Sequence, residues 1–436
     1  MAQMQSASAQ PTVKPPTFEP PMPHSIEESG LNLGFLSDLV LKVMYFEGYL
    51  SGSQIAERVR LPFNGLVDQV LEFLKREQLA EVKGQGGFGE QAYQYAITLK
   101  GRDKAREALD RSHYAGAAPV TLETYQRAMQ RQSLKDFTVH QRTMRQGLAH
   151  LVLNERTFSQ VGPAVNSSRS IFLYGPPGNG KTAIGESIGR MVLTENIYVP
   201  HAIEVDGQVI KVFDNVNHQR VGESTGQLRN RNVDPRWVHI RRPVIIVGGE
   251  LTLETLDLVW DEVNKYYEAP FQMKANGGMF LIDDFGRQQV RPRDLLNRWI
   301  LPLEKRVDYL TLHTGRKIEI PFDVLIVFST NLAPKDLVDE AFLRRIRHKI
   351  EIGDPSFDDY REIFKRVCEA KKVPYDDRAL AYLLQEWYIK PRRKMRAVHP
   401  RDLIDHLVDI ARYLNTQPVL SKDLIDRACE AYFVEL

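Results

Sequence analysis

Three short stretches of the chain carry residue types that, at their spacing, can manage a triphosphate. The first, Gly175-Pro176-Pro177-Gly178-Asn179-Gly180-Lys181-Thr182, fits G-x-x-x-x-G-K-[ST] and stands between the apolar strand pattern Ser170–Tyr174 and a helical pattern over 182–193. Glycines so placed let the backbone curl until successive N–H groups converge on phosphate oxygens. The helix behind adds the positive end of its dipole. Lys181 is placed to reach the β- and γ-phosphates, and the Thr182 hydroxyl to sit on Mg²⁺. The second stretch, Gly278-Met-Phe-Leu-Ile-Asp283-Asp284, delivers two carboxylates at the end of an apolar strand, the edge where open α/β sheets place their ligands. Asp283 would hold Mg²⁺ through its water shell, and Asp284 stands where a base for water is needed. The third, Val324–Asn331, is a strand pattern ending in the polar pair Thr330-Asn331. These residues predict a chain that takes ATP and Mg²⁺ as its cofactors.

Positioning them requires an α/β P-loop core with a parallel sheet, expected over 133–354, and a helical segment over 355–436. The bulk numbers agree with a soluble globular chain of 436 residues, 43% hydrophobic and 26% charged. A net charge of +2 supplies no field toward nucleic acid or a membrane surface. Cys368 and Cys429 lack metal-ligand spacing, and such sparse cysteine usage suggests a reducing, cytoplasmic compartment. No apolar run approaches a membrane span, so no membrane partner is expected.

Ahead of the core, residues 1–30 carry six prolines amid Gln, Ser and Ala, and read as a disordered tail. Residues 31–112 read as a winged helix-turn-helix: helices over 36–46 and 51–60, a third over 64–78, and strands at 80–83 and 92–99 around the glycine-rich tip 84–89. DNA binding would put the third helix in a major groove. However, residues 31–112 hold eleven Lys/Arg and eleven Asp/Glu, and DNA affinity is largely phosphate neutralisation. A neutral module favours a protein client, with duplex DNA as the alternative partner. Residues 113–132 read as a linker.

The P-loop, the Asp283-Asp284 strand, the Asn331 strand and the segment Asp339–Ile352 together resemble the AAA+ ATPase family over about residues 135–436. That resemblance implies an ATPase acting as a homo-oligomeric ring, hexameric by family likeness. It implies that Asn331 is sensor 1, orienting the attacking water. Arg345 matches the arginine finger, which reaches the neighbouring subunit's nucleotide, with Arg344 and Arg347 close enough to be confused with it. Arg401, in Ala397-Val-His-Pro-Arg401, matches sensor 2 of the helical lid, and adenine would lie between Ser133–Arg142 and that lid. A hairpin pattern around Thr314-Gly315 ahead of the Asn331 strand resembles the pre-sensor-1 branch, which includes MoxR-like ATPases.

Departures from the family matter as much. The family usually has Glu where this chain has Asp284, one methylene shorter, which predicts slow hydrolysis and leaves a nucleotide-dependent assembly switch as an alternative. Glu250 lies near the same expected edge and could assist. A second hairpin pattern, 202–213 around Asp206-Gly207, reads by default as surface decoration. Trp260, Tyr266 and Tyr267 read as core aromatics on a helix rather than as a pore loop, and the basic run 390–396 as a solvated loop.

Overall fold

A computed structural model of the chain describes residues 18–85, 89–222, 232–337 and 343–433. Residues 1–17 of the expected tail, 86–88 of the expected wing and 338–342 of the arginine-bearing segment lie outside the described residues.

Five parallel strands form the central sheet, in the spatial order Val244–Val247, Met279–Ile282, Leu325–Thr330, Ser170–Tyr174, His348–Glu351. Their apolar runs suit strands buried on both faces: Phe172, Phe280, Leu281, Val327 and Phe328 have no exposed surface. The P-loop helix Lys181–Val192 packs Ile184 and Ile188, one turn apart, against one face. Helix Pro292–Lys305 packs Leu295, Leu296 and Trp299 against the other. The register aligns Ile282 with Phe328 and Val247, and Tyr174 with Thr330 and Glu351. All five strands therefore end on one edge, and the loops bearing Lys181, Asp283 and Asn331 emerge there together. The fold is the α/β P-loop class expected from the sequence, followed by a helical C-terminal part.

A second sheet differs from expectation. Its five strands run Val259–Trp260, Tyr267–Glu268, Gln208–Lys211, Ala202–Val205, Val120–Thr121. The 202–211 hairpin is thus an inner element of a sheet, not decoration, because Ile203, Val205 and Ile210 are buried in a core shared with Leu310 and Ile318 of the hairpin Val307–Thr311/Lys317–Pro321. Residues 113–132, read as a linker, contribute a strand and the helix Leu122–Arg131, whose Tyr125 is wholly buried and receives a hydrogen bond from Asn276 Nδ2 at 2.9 Å. Tyr267 is buried in this core with Trp260 packed against it, and both lie on strands of this sheet rather than on the expected helix.

The N-terminal unit has helices Leu33–Glu47, Gly52–Val59, Asp68–Arg76 and Leu99–Arg111, with strands Leu50–Ser51, Tyr93–Ile97 and Ala80–Gln85 in that spatial order. Ser51 and Gln54 form a reciprocal cap on the second helix. The third begins at Asp68, not at Asn64, because Gly65 turns left-handed (φ +85°) and its N–H donates to Asp68 Oδ2 at 2.9 Å. Residues 18–30 are not part of a loose tail. Asp234 N donates to Pro20 O at 2.9 Å and Met22 N to Asn232 O at 3.1 Å, while buried Arg236, paired with Asp234, donates to Ser29 O and Pro119 O. Prolines lose little freedom on ordering, so this edge pairing suffices to seat the segment.

Helices Phe357–Lys371, Asp377–Leu384, His399–Tyr413 and Lys422–Tyr432 form the C-terminal unit around Tyr360, Phe364, Leu403 and Leu407. Cys368 and Cys429 are buried there, and burial pushes both thiols up to about 12, the condition of inert structural cysteines. Among the described residues no helix is long and apolar enough to cross a membrane.

Candidate active site

Gly175, Pro176, Pro177, Gly178, Asn179 and Gly180 curl between their strand and the P-loop helix. At Gly175 (φ +135°) a Cβ would fall 2.3 Å from Ile352 O, so both the dihedral and the space demand glycine. Lys181 is buried and folded into the loop: Nζ donates to Gly175 O at 3.0 Å, Pro176 O at 2.9 Å and Asn331 Oδ1 at 2.6 Å. Burial lowers its pKa most, Asp284 and Asp283 counteract that, and Arg396 lowers it further.

Thr182 Oγ1 donates to both Asp283 oxygens at 3.0 Å. Asn331 Nδ2 donates to Asp284 Oδ1 at 3.3 Å. The structure therefore brings Lys181, Thr182, Asp283, Asp284 and Asn331 together from three strand ends. A lysine ammonium inside a glycine cradle, beside a hydroxyl and a carboxylate, is a donor set that fits a triphosphate with a hard divalent cation. Thr182 and Asp283 are the residues that would hold Mg²⁺.

Asp284 itself sits in the left-handed region at φ +47°. Its turn is fixed by a residue the sequence reading passed over. Gln288 Nε2 donates to Asp283 O at 2.8 Å and Asp284 O at 3.2 Å, and Gln288 Oε1 accepts from Gly286 N at 2.8 Å. Glu250 is occupied otherwise: its carboxylate accepts from Gly248 N at 3.0 Å, and that bond leads in holding its pKa below the ordinary value.

The three arginines lie on a turn anchored by Ile346, which has no exposed surface, and by Lys349 Nζ, which donates to Leu343 O and Ile346 O. Arg345 Nε donates to Glu304 Oε1 at 2.5 Å, at the C-terminal end of helix Pro292–Lys305. Arg401 is largely exposed and paired with Asp402, yet it lines a cleft of ≈ 420 Å³ beside the P-loop together with Leu151, Leu153, Gly178, Gly180 and Val367. That cleft, the apolar space next to the phosphate cradle, is bounded by 150–153 rather than by Ser133–Arg142. Closer to the phosphate loop stands Arg396, which pairs with Asp354, a carboxylate that also accepts from Asn179 Nδ2 at 2.8 Å. Neither Arg396 nor Asp354 carried a spacing signal.

A parallel sheet with a glycine-rich loop behind the strand Ser170–Tyr174, opposite two acidic residues and a polar strand end, is the arrangement of the α/β P-loop fold. A domain family of unknown function, DUF8689, matches residues 356–431, the helical C-terminal unit. No curated protein matches the chain. Among solved structures, NtrX from Brucella abortus in complex with ATP is 14% identical with a TM-score of 0.40, over 64% of this chain and 56% of that one. The match thus spans little more than half of the NtrX chain. The RuvB Holliday junction branch migration motor of Thermotoga maritima is 14% identical with a TM-score of 0.37, over 65% of this chain and 70% of that one.

Proposed function

We propose that this chain is a Mg²⁺-dependent AAA+ ATPase of the pre-sensor-1 hairpin, MoxR-like branch, acting as a homo-oligomeric, hexameric ring that remodels a protein client. The observation that carries the reading is the continuous chain Lys181–Asn331–Asp284 beside Thr182–Asp283. In it Lys181 meets phosphate charge, Asp284 takes a proton from water oriented by Asn331, Arg345 serves the neighbouring subunit's site and Arg401 its own. ATP bound with Mg²⁺ supplies the phosphoryl group whose transfer these side chains support.

The N-terminal unit, in this reading, is a winged helix that recruits the client. Its element order supports that, and so does its surroundings' bias against duplex DNA. Recognition helices read bases with their N-terminal residues, whereas here the segment leading into helix Asp68–Arg76 is tightly packed at Gly65, where a Cβ would lie 2.3 Å from His24 O. A slow nucleotide-dependent assembly switch is the second reading, favoured by the short Asp284 carboxylate on a left-handed backbone.

Steady-state ATP hydrolysis against protein concentration, with and without duplex DNA, tests the proposal. Turnover per subunit should rise with concentration and ignore DNA. Stimulation by DNA would replace the protein client with DNA, and bound ATP without turnover would favour the switch. Lys181→Ala should abolish ATP binding in an equilibrium titration, whereas Arg345→Ala should keep binding and lose about 10³-fold or more in turnover.

A further inference from the structure

Two residues of the phosphate loop reach directly into the helical C-terminal unit. Gly178 O accepts from Val398 N at 2.8 Å, and Asn179 Oδ1 accepts from Ala397 N at 3.1 Å. Asn179 is buried and uses the other end of its amide as well, donating from Nδ2 to Asp354 Oδ1 at 2.8 Å. The same Asp354 oxygen receives the Arg396 guanidinium. Contact is close enough that a Cβ on Gly178 would meet Val398 Cγ1 at 2.7 Å.

We infer that Asp354, Arg396 and Asn179 form a joint that positions the helical unit on the phosphate loop and thereby sets the affinity for ATP. The inference rests on the reading of Gly175–Thr182 as an ATP site. Asp354 follows the strand His348–Glu351 of the central sheet and stands two residues beyond Ile352, whose N–H donates to Tyr174 O at 2.8 Å. The joint therefore ties three parts of the molecule at one carboxylate oxygen: sheet, phosphate loop and helical unit. Asn179 cannot shift without moving either Asp354 or the backbone of Ala397, so loop shape and helical-unit placement are one coordinate. Arg396 also stands within electrostatic reach of Lys181. The joint accordingly places a second cation at the rim of the cradle, paired with Asp354. Arg396, Asp354 and Asn179 are positioning residues, acting on the cradle through the loop they hold.

The test uses the full chain and has two readouts, the Kd of a fluorescent ATP analogue and amide hydrogen exchange at Val398 without nucleotide. Arg396→Gln and the near-isosteric Asp354→Asn should each weaken the analogue roughly tenfold, the size of one lost charge-assisted bond, and speed exchange at Val398. Combining them should add little to either single change, because both break the same bond. Lys394→Gln, an exposed neighbour with the same charge change, should alter neither readout. Unchanged affinity and exchange in both Arg396→Gln and Asp354→Asn would overturn the joint, as would equal effects from Lys394→Gln. Failure of the ATP reading is told apart by Lys181→Ala: if that variant still binds the analogue normally, the site is misread, while Val398 exchange in the nucleotide-free variants still decides the joint.

Discussion

Asn331 accepts from the Lys181 ammonium and donates to Asp284 Oδ1, so one amide connects the cation of the phosphate loop with the carboxylate of the next strand end. Breaking the two ends of that chain should have different effects. Asp284→Asn should leave ATP binding intact and lower single-turnover hydrolysis by about 10²–10⁴-fold, the usual reach of a general base. Asp284→Glu tests whether the shorter side chain limits the rate. The Asp284 turn is already fixed by Gln288, so the expected result is no gain in turnover. At Arg345 the partner Glu304 must be exchanged for any phosphate of a neighbouring subunit. Glu304→Gln should therefore lower the protein concentration at half-maximal ATPase by a few-fold, the scale of a partly exposed ion pair of about 0.5–1 kcal/mol. Most of this site was legible because its residues are contiguous motifs at strand ends: 175–182, 283–284 and 331. The Asp354–Arg396 pair was not, since its members are separated by 42 residues and meet only through packing of the helical unit.

Helices and strands with strong periodic patterns were legible too, and the errors fell where a tertiary partner decides. The third helix of the N-terminal unit loses its expected first turn to Gly65, which turns left-handed where the chain packs against His24 O. The 202–211 hairpin showed its turn but not its burial, because its sheet partners come from 120–121 and 267–268. Core elements behind the site should tolerate little. Trp299→Ala, in the helix that leads from the Asp284 turn to Glu304, empties a wholly buried position ringed by Phe280, Phe322 and Phe328. It should cost about 3–5 kcal/mol in chemical denaturation. Gly175→Ala should be as damaging for a different reason, since its Cβ meets backbone rather than a flexible side chain.

Acid should loosen the molecule as a whole. Burial, reinforced by nearby Arg60 and Arg220, brings His201 down to about 4, and burial with Arg396 brings His399 to about 4. Unfolding releases each to an ordinary value near 6.5, so between those limits the unfolded chain binds more protons and stability rises with pH. The denaturation midpoint should therefore be lower at pH 5 than at pH 7.5, and a flat profile across that window would contradict the burial of both rings. The N-terminal unit shares in the same body. Ala118 N donates to Val59 O, His113 N to Asn264 O, Lys265 Nζ to Asp110 O and Arg236 Nη1 to Ser29 O. Strand Val120–Thr121 and helix Leu122–Arg131 then carry the chain straight into the second sheet. Such an arm has no slack. A partner seized by the N-terminal unit would be gripped by a handle fixed to its blade, and any movement of the central sheet would reach it as displacement rather than be absorbed by a swivel.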